Sequence, residues 1–319
     1  MPPPLDTVAD LDFEVTRLEK IFEIYPRPKY ILTADTTDAR VAAKNFPNSK
    51  VLSVEKNNSE KAYQAFMNNL LNLKTVYESL IDEESRRTFR GYWLGNISNQ
   101  LSKIVHSNNP HYLTPGFIPK KDSIVIDAGS FDGGTPTRFV ERGFKVYGFE
   151  MDKRMFQVAK KVSEQKNFVL ENMGLGSYQH TMKYVPLDSG STHLDEFGTE
   201  SALITTIDSY VREKNLPSVD FIKLDVEGAE LDVLKGAAVT ICRFKPILAI
   251  SAYHKWDDFW TLMNFVKSIR SDYEFAMRQY HVSREDEPFV FREGFEDTMS
   301  LLGLDICYKN YNECCLLAR

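Results

Sequence analysis

Apolar positions along the chain recur with two periods, and the switches between them mark its elements. Short apolar runs exchange with stripes at spacings of three and four, the pattern of strands alternating with amphipathic helices. The first part reads as a helix over 7–24, a strand Lys29 to Thr33, a helical Asp38 to Asn45 and a strand Lys50 to Val54. From Ser59, Ala62, Phe66, Leu70, Leu73, Tyr77 and Leu80 fall on one stripe and predict a single long helix, followed by a helical stretch from Glu83 to His106. Asn109-Pro110 and Pro115-Gly116 then break the pattern. The domain boundary is set there, between an N-terminal helical and small α/β module (1–118) and a second domain (119–319).

In the second domain the alternation is stricter. Strands are predicted at Ser123 to Asp127, Lys145 to Glu150, Asn167 to Glu171, Val219 to Asp225 and Pro246 to Ser251, with a hairpin near Met182 to Pro186. Helices are predicted up to Arg142, after Asp152, over Ile207 to Glu213, from about Gly228 and from Trp256 to Ile269. Two late strands, Tyr273 to Tyr280 and Glu313 to Ala318, close the chain. Such alternation implies an α/β fold with a mostly parallel sheet and a ligand at the strand carboxyl ends.

Composition removes several classes of function. A net charge of -6 and a pI near 5.6 offer nothing to a polyanion, and the basic pairs Arg86-Arg87, Lys120-Lys121 and Lys160-Lys161 are isolated, so nucleic acid is excluded as a partner. Cys242, Cys307, Cys314 and Cys315 form no CxxC pair, which argues against a zinc knuckle or a disulfide framework and fits a reducing cytoplasm. No apolar run approaches the ~18 residues of a spanning helix, and the first residues lack the pattern of an export signal. The expectation is a soluble cytoplasmic protein with no membrane partner; its oligomeric state is left open.

Candidate chemistry begins at Asp127-Ala-Gly129-Ser-Phe-Asp-Gly133-Gly134-Thr-Pro136, followed by Val146-Tyr-Gly-Phe-Glu150. An apolar strand enters a glycine turn, a helix starts at Thr135-Pro136, and a second strand ends in an acid. Together these form a βαβ unit suited to a nucleoside. Gly129 permits close backbone approach, and Glu150 can accept from both ribose hydroxyls. The turn departs from G-x-G-x-x-G, and Asp127 and Asp132 would repel a pyrophosphate, whereas a sulfonium cofactor without phosphate suits them. A nicotinamide-dependent oxidoreductase is thereby disfavoured.

A second constellation is Phe221-Ile-Lys-Leu-Asp225-Val-Glu227-Gly228-Ala-Glu230. A buried strand delivers Asp225 at its carboxyl edge. Glu230 reads as a helix cap, because acids favour a helix N-terminus.

With these blocks the chain resembles an FkbM-family S-adenosylmethionine-dependent methyltransferase. The matching residues are Val125 to Thr137, Val146 to Glu150, Thr205-Thr-Ile-Asp-Ser-Tyr210, Asp220 to Gly236, Ile247 to Ser251 leading to His254, and Cys315-Leu-Leu-Ala318. Coverage runs from about Tyr112 to the C-terminus, with Ile81 to Phe89 similar to a helical lead-in. The resemblance implies a Rossmann-like class I sheet of seven strands, the last antiparallel, and methyl transfer, usually to oxygen. Carried over, the cofactor site comprises Asp127, Gly129, Ser130, Phe131, Asp132, Glu150, Met151, Asn172 and Asp225. Within it Asp127 and Gly129 face the methionine part, Glu150 the ribose, Asn172 or its neighbour the adenine, and Asp225 the methionine amine or the acceptor. The chain departs from many relatives in reading Ser251-Ala-Tyr-His254 where they carry Glu-x-His, and in the segment Ser283 to Tyr311 before the last strand.

No [DN]-P-P-[YF] tetrapeptide follows the fourth strand and no cysteine lies near the first four strand ends, so amino and carbon methylation are disfavoured. The expected acceptor is a hydroxyl on a small molecule, sugar or natural product. Asp225 and His254 are the catalytic candidates, with His254 as general base because histidine titrates near neutral pH. Asp225 with Glu227 has the makings of a Mg²⁺ site, but no metal is assigned. The competing class is a cofactor-fold binding or scaffold protein without turnover.

Overall fold

The structure is a computed structural model describing residues 30–33, 50–53, 59–98, 103–185, 193–194, 198–280 and 313–319. The helices predicted over 7–24 and Asp38 to Asn45, and the 283–311 segment, lie outside the described residues. Two compact units are distinguished, Met1–Asn58 with Pro288–Tyr308, and Ser59–Glu287 with Lys309–Arg319. In the first, β1 (Tyr30–Thr33) and β2 (Lys50–Ser53) pair in parallel, as an α/β piece requires.

The second unit opens with α1 (Ser59–Asn68), α2 (Leu70–Ser79) and α3 (Glu83–Ser98). The single long helix predicted from Ser59 is interrupted at Asn69, whose side-chain amide donates to the Ala65 carbonyl at 2.9 Å and draws it from the helical ladder. The break turns the apolar stripe: Leu70 is exposed, while Leu73, Val76 and Leu80 are buried. These helices pack on the same core as the sheet. Tyr92 meets Phe259 edge-on at 4.8 Å, and the Met277 N–H donates to Ser85 Oγ at 3.0 Å. The compact unit thus begins at Ser59, whereas the chain pattern suggested a division near residue 118.

The sheet contains β3 (Ile124–Ala128), β4 (Lys145–Phe149), β5 (Val169–Glu171), β10 (Phe221–Leu224), β11 (Ile247–Ser251), β12 (Phe275–Tyr280) and β13 (Glu313–Ala318). Their spatial order is β12-β13-β11-β10-β3-β4-β5, with β13 antiparallel to both neighbours. This is the expected Rossmann-like sheet of seven strands with the last one antiparallel. Alternation along β3 sends Ile124, Ile126 and Ala128 to one core cluster and Val125 to the other, so both faces are covered. A separate four-stranded sheet runs β6 (Gly174–Leu175), β9 (Glu200–Thr205), β7 (His180–Val185) and β8 (His193–Leu194). It extends the hairpin predicted near Met182. Cys242, Cys314 and Cys315 are free thiols, and no described helix is long and apolar enough to cross a membrane.

Candidate active site

The predicted functional residues gather at the carboxyl edge of the parallel strands. Asp127 is in β3, just before the turn, Glu150 follows β4, Asn172 follows β5, Asp225 follows β10 and His254 lies three residues beyond β11.

At the glycine turn Gly129 has φ +80° and its backbone N–H donates to the Phe149 carbonyl at 3.0 Å. A Cβ at Gly129 would strike the carbonyl oxygen of Asp225. The glycine is therefore demanded first by the approach of two protein backbones, and the close approach expected for a ligand is not its sole reason. Phe131 is partly exposed, and its N–H donates to Glu150 Oε2 at 2.8 Å, while the Asp152 N–H donates to Oε1 at 2.8 Å. The carboxylate is thus aimed by two strand-end donors, with a lone pair on each oxygen still available. Burial pushes its pKa up to about 7 against those two bonds. The Asn172 amide donates to the Glu150 carbonyl at 2.9 Å and more weakly to that of Met151, holding the turn on which Glu150 sits.

Two expected cofactor contacts have other partners. Asp127 is fully buried; its Oδ2 accepts from Ser130 Oγ at 2.6 Å, and its Oδ1 pairs with the Lys223 ammonium at 3.2 Å. Lys223 also donates to the Ala128 and Gly129 carbonyls at 3.0 and 2.7 Å. Burial raises the Asp127 carboxyl, opposed by Lys223 and Ser130. Asp127 and Ser130 therefore brace the turn, and the repulsion of a pyrophosphate attributed to Asp127 is largely cancelled by the lysine. Asp132 is exposed and its Oδ1 accepts from the Gly134 N–H at 2.9 Å, at the start of α4 (Gly134–Glu141).

Asp225 and His254 do come together. Tyr112 and Tyr253 hydroxyls donate to Asp225 Oδ2 and Oδ1 at 3.0 and 3.3 Å. Burial works to raise the Asp225 carboxyl, but Lys223, His254 and the Tyr112 hydroxyl hold it below the ordinary range. Glu230, the first residue of α7 (Glu230–Lys235), makes no capping hydrogen bond to that helix; its carboxylate accepts instead from the Val226 and Gly228 N–H groups of the preceding loop, at 3.0 and 3.3 Å. It also stands 3.1 Å from His254 Nδ1, a contact absent from the capping reading. His254 Nε2 lies 3.8 Å from Asp225 and 3.7 Å from Glu227. Burial disfavours the imidazolium, yet Glu230, Asp225 and Glu227 outweigh it and push the pKa up to about 9. The expectation that His254 serves as a base near neutral pH does not fit this cage, which keeps it protonated there.

Sequence reasoning missed Lys223, Tyr112 and Tyr253. The lysine left a signal: it interrupts the apolar run Phe221-Ile-Lys-Leu, and a charge in a fully buried strand needs an acid opposite. The tyrosines left none, lying in loops without a pattern.

Comparison with known proteins fits this geometry. Residues 127–280 match the family described as the methyltransferase FkbM domain. The 2-O-methyltransferase NoeI of Sinorhizobium fredii is 24% identical over 174 residues, covering 47% of this chain and 72% of that protein. The crystal structure of methyltransferase FkbM from Methylobacillus flagellatus KT superposes with a TM-score of 0.62 at 20% identity, covering 91% of this chain and 73% of that one.

Proposed function

We propose that this protein, whose residues 127–280 match the methyltransferase FkbM domain, transfers the methyl group of S-adenosylmethionine to a hydroxyl oxygen of a small molecule, sugar or natural product. The observation that carries the reading is Glu150, held by two backbone N–H groups beside the Gly129 turn with lone pairs left for ribose hydroxyls. The likeness to a 2-O-methyltransferase supports oxygen as the acceptor atom.

Transfer is an in-line displacement: the acceptor oxygen attacks the methyl carbon, the carbon–sulfur bond breaks, and S-adenosylhomocysteine leaves. Positioning supplies much of the acceleration, because the sulfonium is already activated. The acceptor proton must still be lost, and of the two catalytic candidates beside the turn Asp225 is the one held as a carboxylate, with the charged His254 next to it. Calorimetric titration with S-adenosylmethionine, S-adenosylhomocysteine and NAD tests the cofactor. Binding of both adenosyl compounds without NAD is expected; binding of NAD alone would overturn the reading. Turnover on a panel of hydroxylated acceptors then separates an enzyme from a binding protein.

A further inference from the structure

We propose that Asp225, Glu230 and His254 form a binding site for one divalent first-row transition ion, such as Mn²⁺ or Zn²⁺. Each residue offers a ligand atom, His254 once the ion displaces its proton, and these atoms lie within 4.8 Å of one another. Two ligands of one such ion, bonded at about 2.0–2.2 Å, stand up to roughly 4.2 Å apart, so a small inward shift closes the site. His254 Nε2 lies 3.8 Å from Asp225 Oδ1 and 3.7 Å from Glu227 Oε2. The gap to Asp225 is too long for a hydrogen bond and matches the spacing of two atoms sharing an ion, while Glu227 lies outside the three-residue set.

A second observation is independent of the clustering. Glu230 is 1% exposed, yet its Oε2 has no hydrogen-bond partner, and His254 Nε2 has none either, while Nδ1 is engaged with Glu230 Oε1 at 3.1 Å. Buried polar atoms left so are costly, and a cation among them satisfies several at once. The surroundings favour positive charge further. Glu227 borders His254, and Asp258 is buried just beyond with an oxygen accepting from the Lys255 N–H. Lys255, whose Nζ donates to the Gly228 carbonyl, and Lys223, paired with Asp127, offset part of that negative charge. Tyr112 and Tyr253 donate to Asp225 and fix its carboxylate, as outer partners of metal ligands commonly do. One imidazole with two carboxylates suits Mn²⁺ or Zn²⁺ better than Ca²⁺, which takes six to eight oxygens.

Three protein ligands leave positions open for an acceptor oxygen. Resting on the methyl-transfer reading above, the ion would bind the acceptor hydroxyl and ease release of its proton to solvent. The resulting alkoxide forms the O–CH₃ bond as the S–CH₃ bond breaks.

The test uses the full chain after chelator treatment, titrated with Mn²⁺ and followed by electron paramagnetic resonance of the free ion, with Zn²⁺ competition. One ion per chain is expected, with Glu230→Gln and Asp225→Asn each weakening uptake at least about tenfold while circular dichroism stays native. No uptake by the unaltered protein, or uptake equal in both folded variants, would overturn the proposal. S-adenosylhomocysteine titration on the same samples separates the two readings, because metal uptake without adenosyl binding removes the methyltransferase reading and leaves the metal site standing.

Discussion

Lys223 and Asp127 stand opposite each other in register across β10 and β3, and their side chains close a buried ion pair at 3.2 Å. The lysine also donates to two carbonyls of the glycine turn, so one side chain neutralises the acid and fixes the loop beside it. Breaking such a pair from one side leaves a buried charge alone. Lys223→Met should therefore cost about 3–5 kcal/mol in denaturant unfolding, and Lys223→Met with Asp127→Leu should recover much of it. A single substitution costing under about 1 kcal/mol would show that the pair does not brace the turn.

Gly129→Ala should lower stability in the absence of any cofactor. Its φ of +80° alone costs a side chain about 1–2 kcal/mol, and the added Cβ meets the Asp225 carbonyl. Thermal unfolding of the ligand-free variant decides the point. An unchanged melting temperature would mean that this backbone contact is not tight and that the glycine serves the ligand alone.

Cofactor affinity should depend on Glu150 ionisation. Its carboxyl is raised from 4.5 to about 7, so the folded protein holds a proton the unfolded chain has released between those values. The associated stability is present below the lower value and is lost as pH rises through about 7. Ribose hydroxyls favour the carboxylate, so S-adenosylhomocysteine affinity should rise from pH 6 to pH 8 in calorimetry and flatten in Glu150→Gln. An affinity that is level with pH in the unaltered protein would argue against Glu150 as the ribose acceptor.

Truncation separates the two possible domain limits. Leu73, Val76, Leu80, Phe89, Tyr92 and Trp93 are buried in the cluster that holds Phe259, Met263 and Phe275. At roughly 1.5–3 kcal/mol for each large side chain, their loss matches the roughly 5–15 kcal/mol that holds a typical domain. A fragment starting at Ser59 should unfold cooperatively, while one starting near Thr114 should be insoluble or unfolded. Cooperative unfolding and cofactor binding by the shorter fragment would restore the boundary near residue 118.

The chain itself determined the alternation of strands and helices, the Gly129 turn, and the delivery of Glu150 and Asp225 to strand ends. These follow from apolar period and local backbone chemistry, which act over a few residues. The helix start after Asp152 was legible for the same reason: the Asp152 side chain accepts from N–H groups two and three residues on. What neighbours an acid once the strands are ordered was decided only in three dimensions. Asp127 meets Lys223 because β10 lies beside β3, although they are distant in sequence. Glu230 meets His254 because the loop after β11 folds against the start of α7, turning an expected helix cap into one wall of a charged cluster. The break at Asn69 and the docking of α2 and α3 belong with these, since an apolar stripe announces that a helix face will be buried but not against which surface.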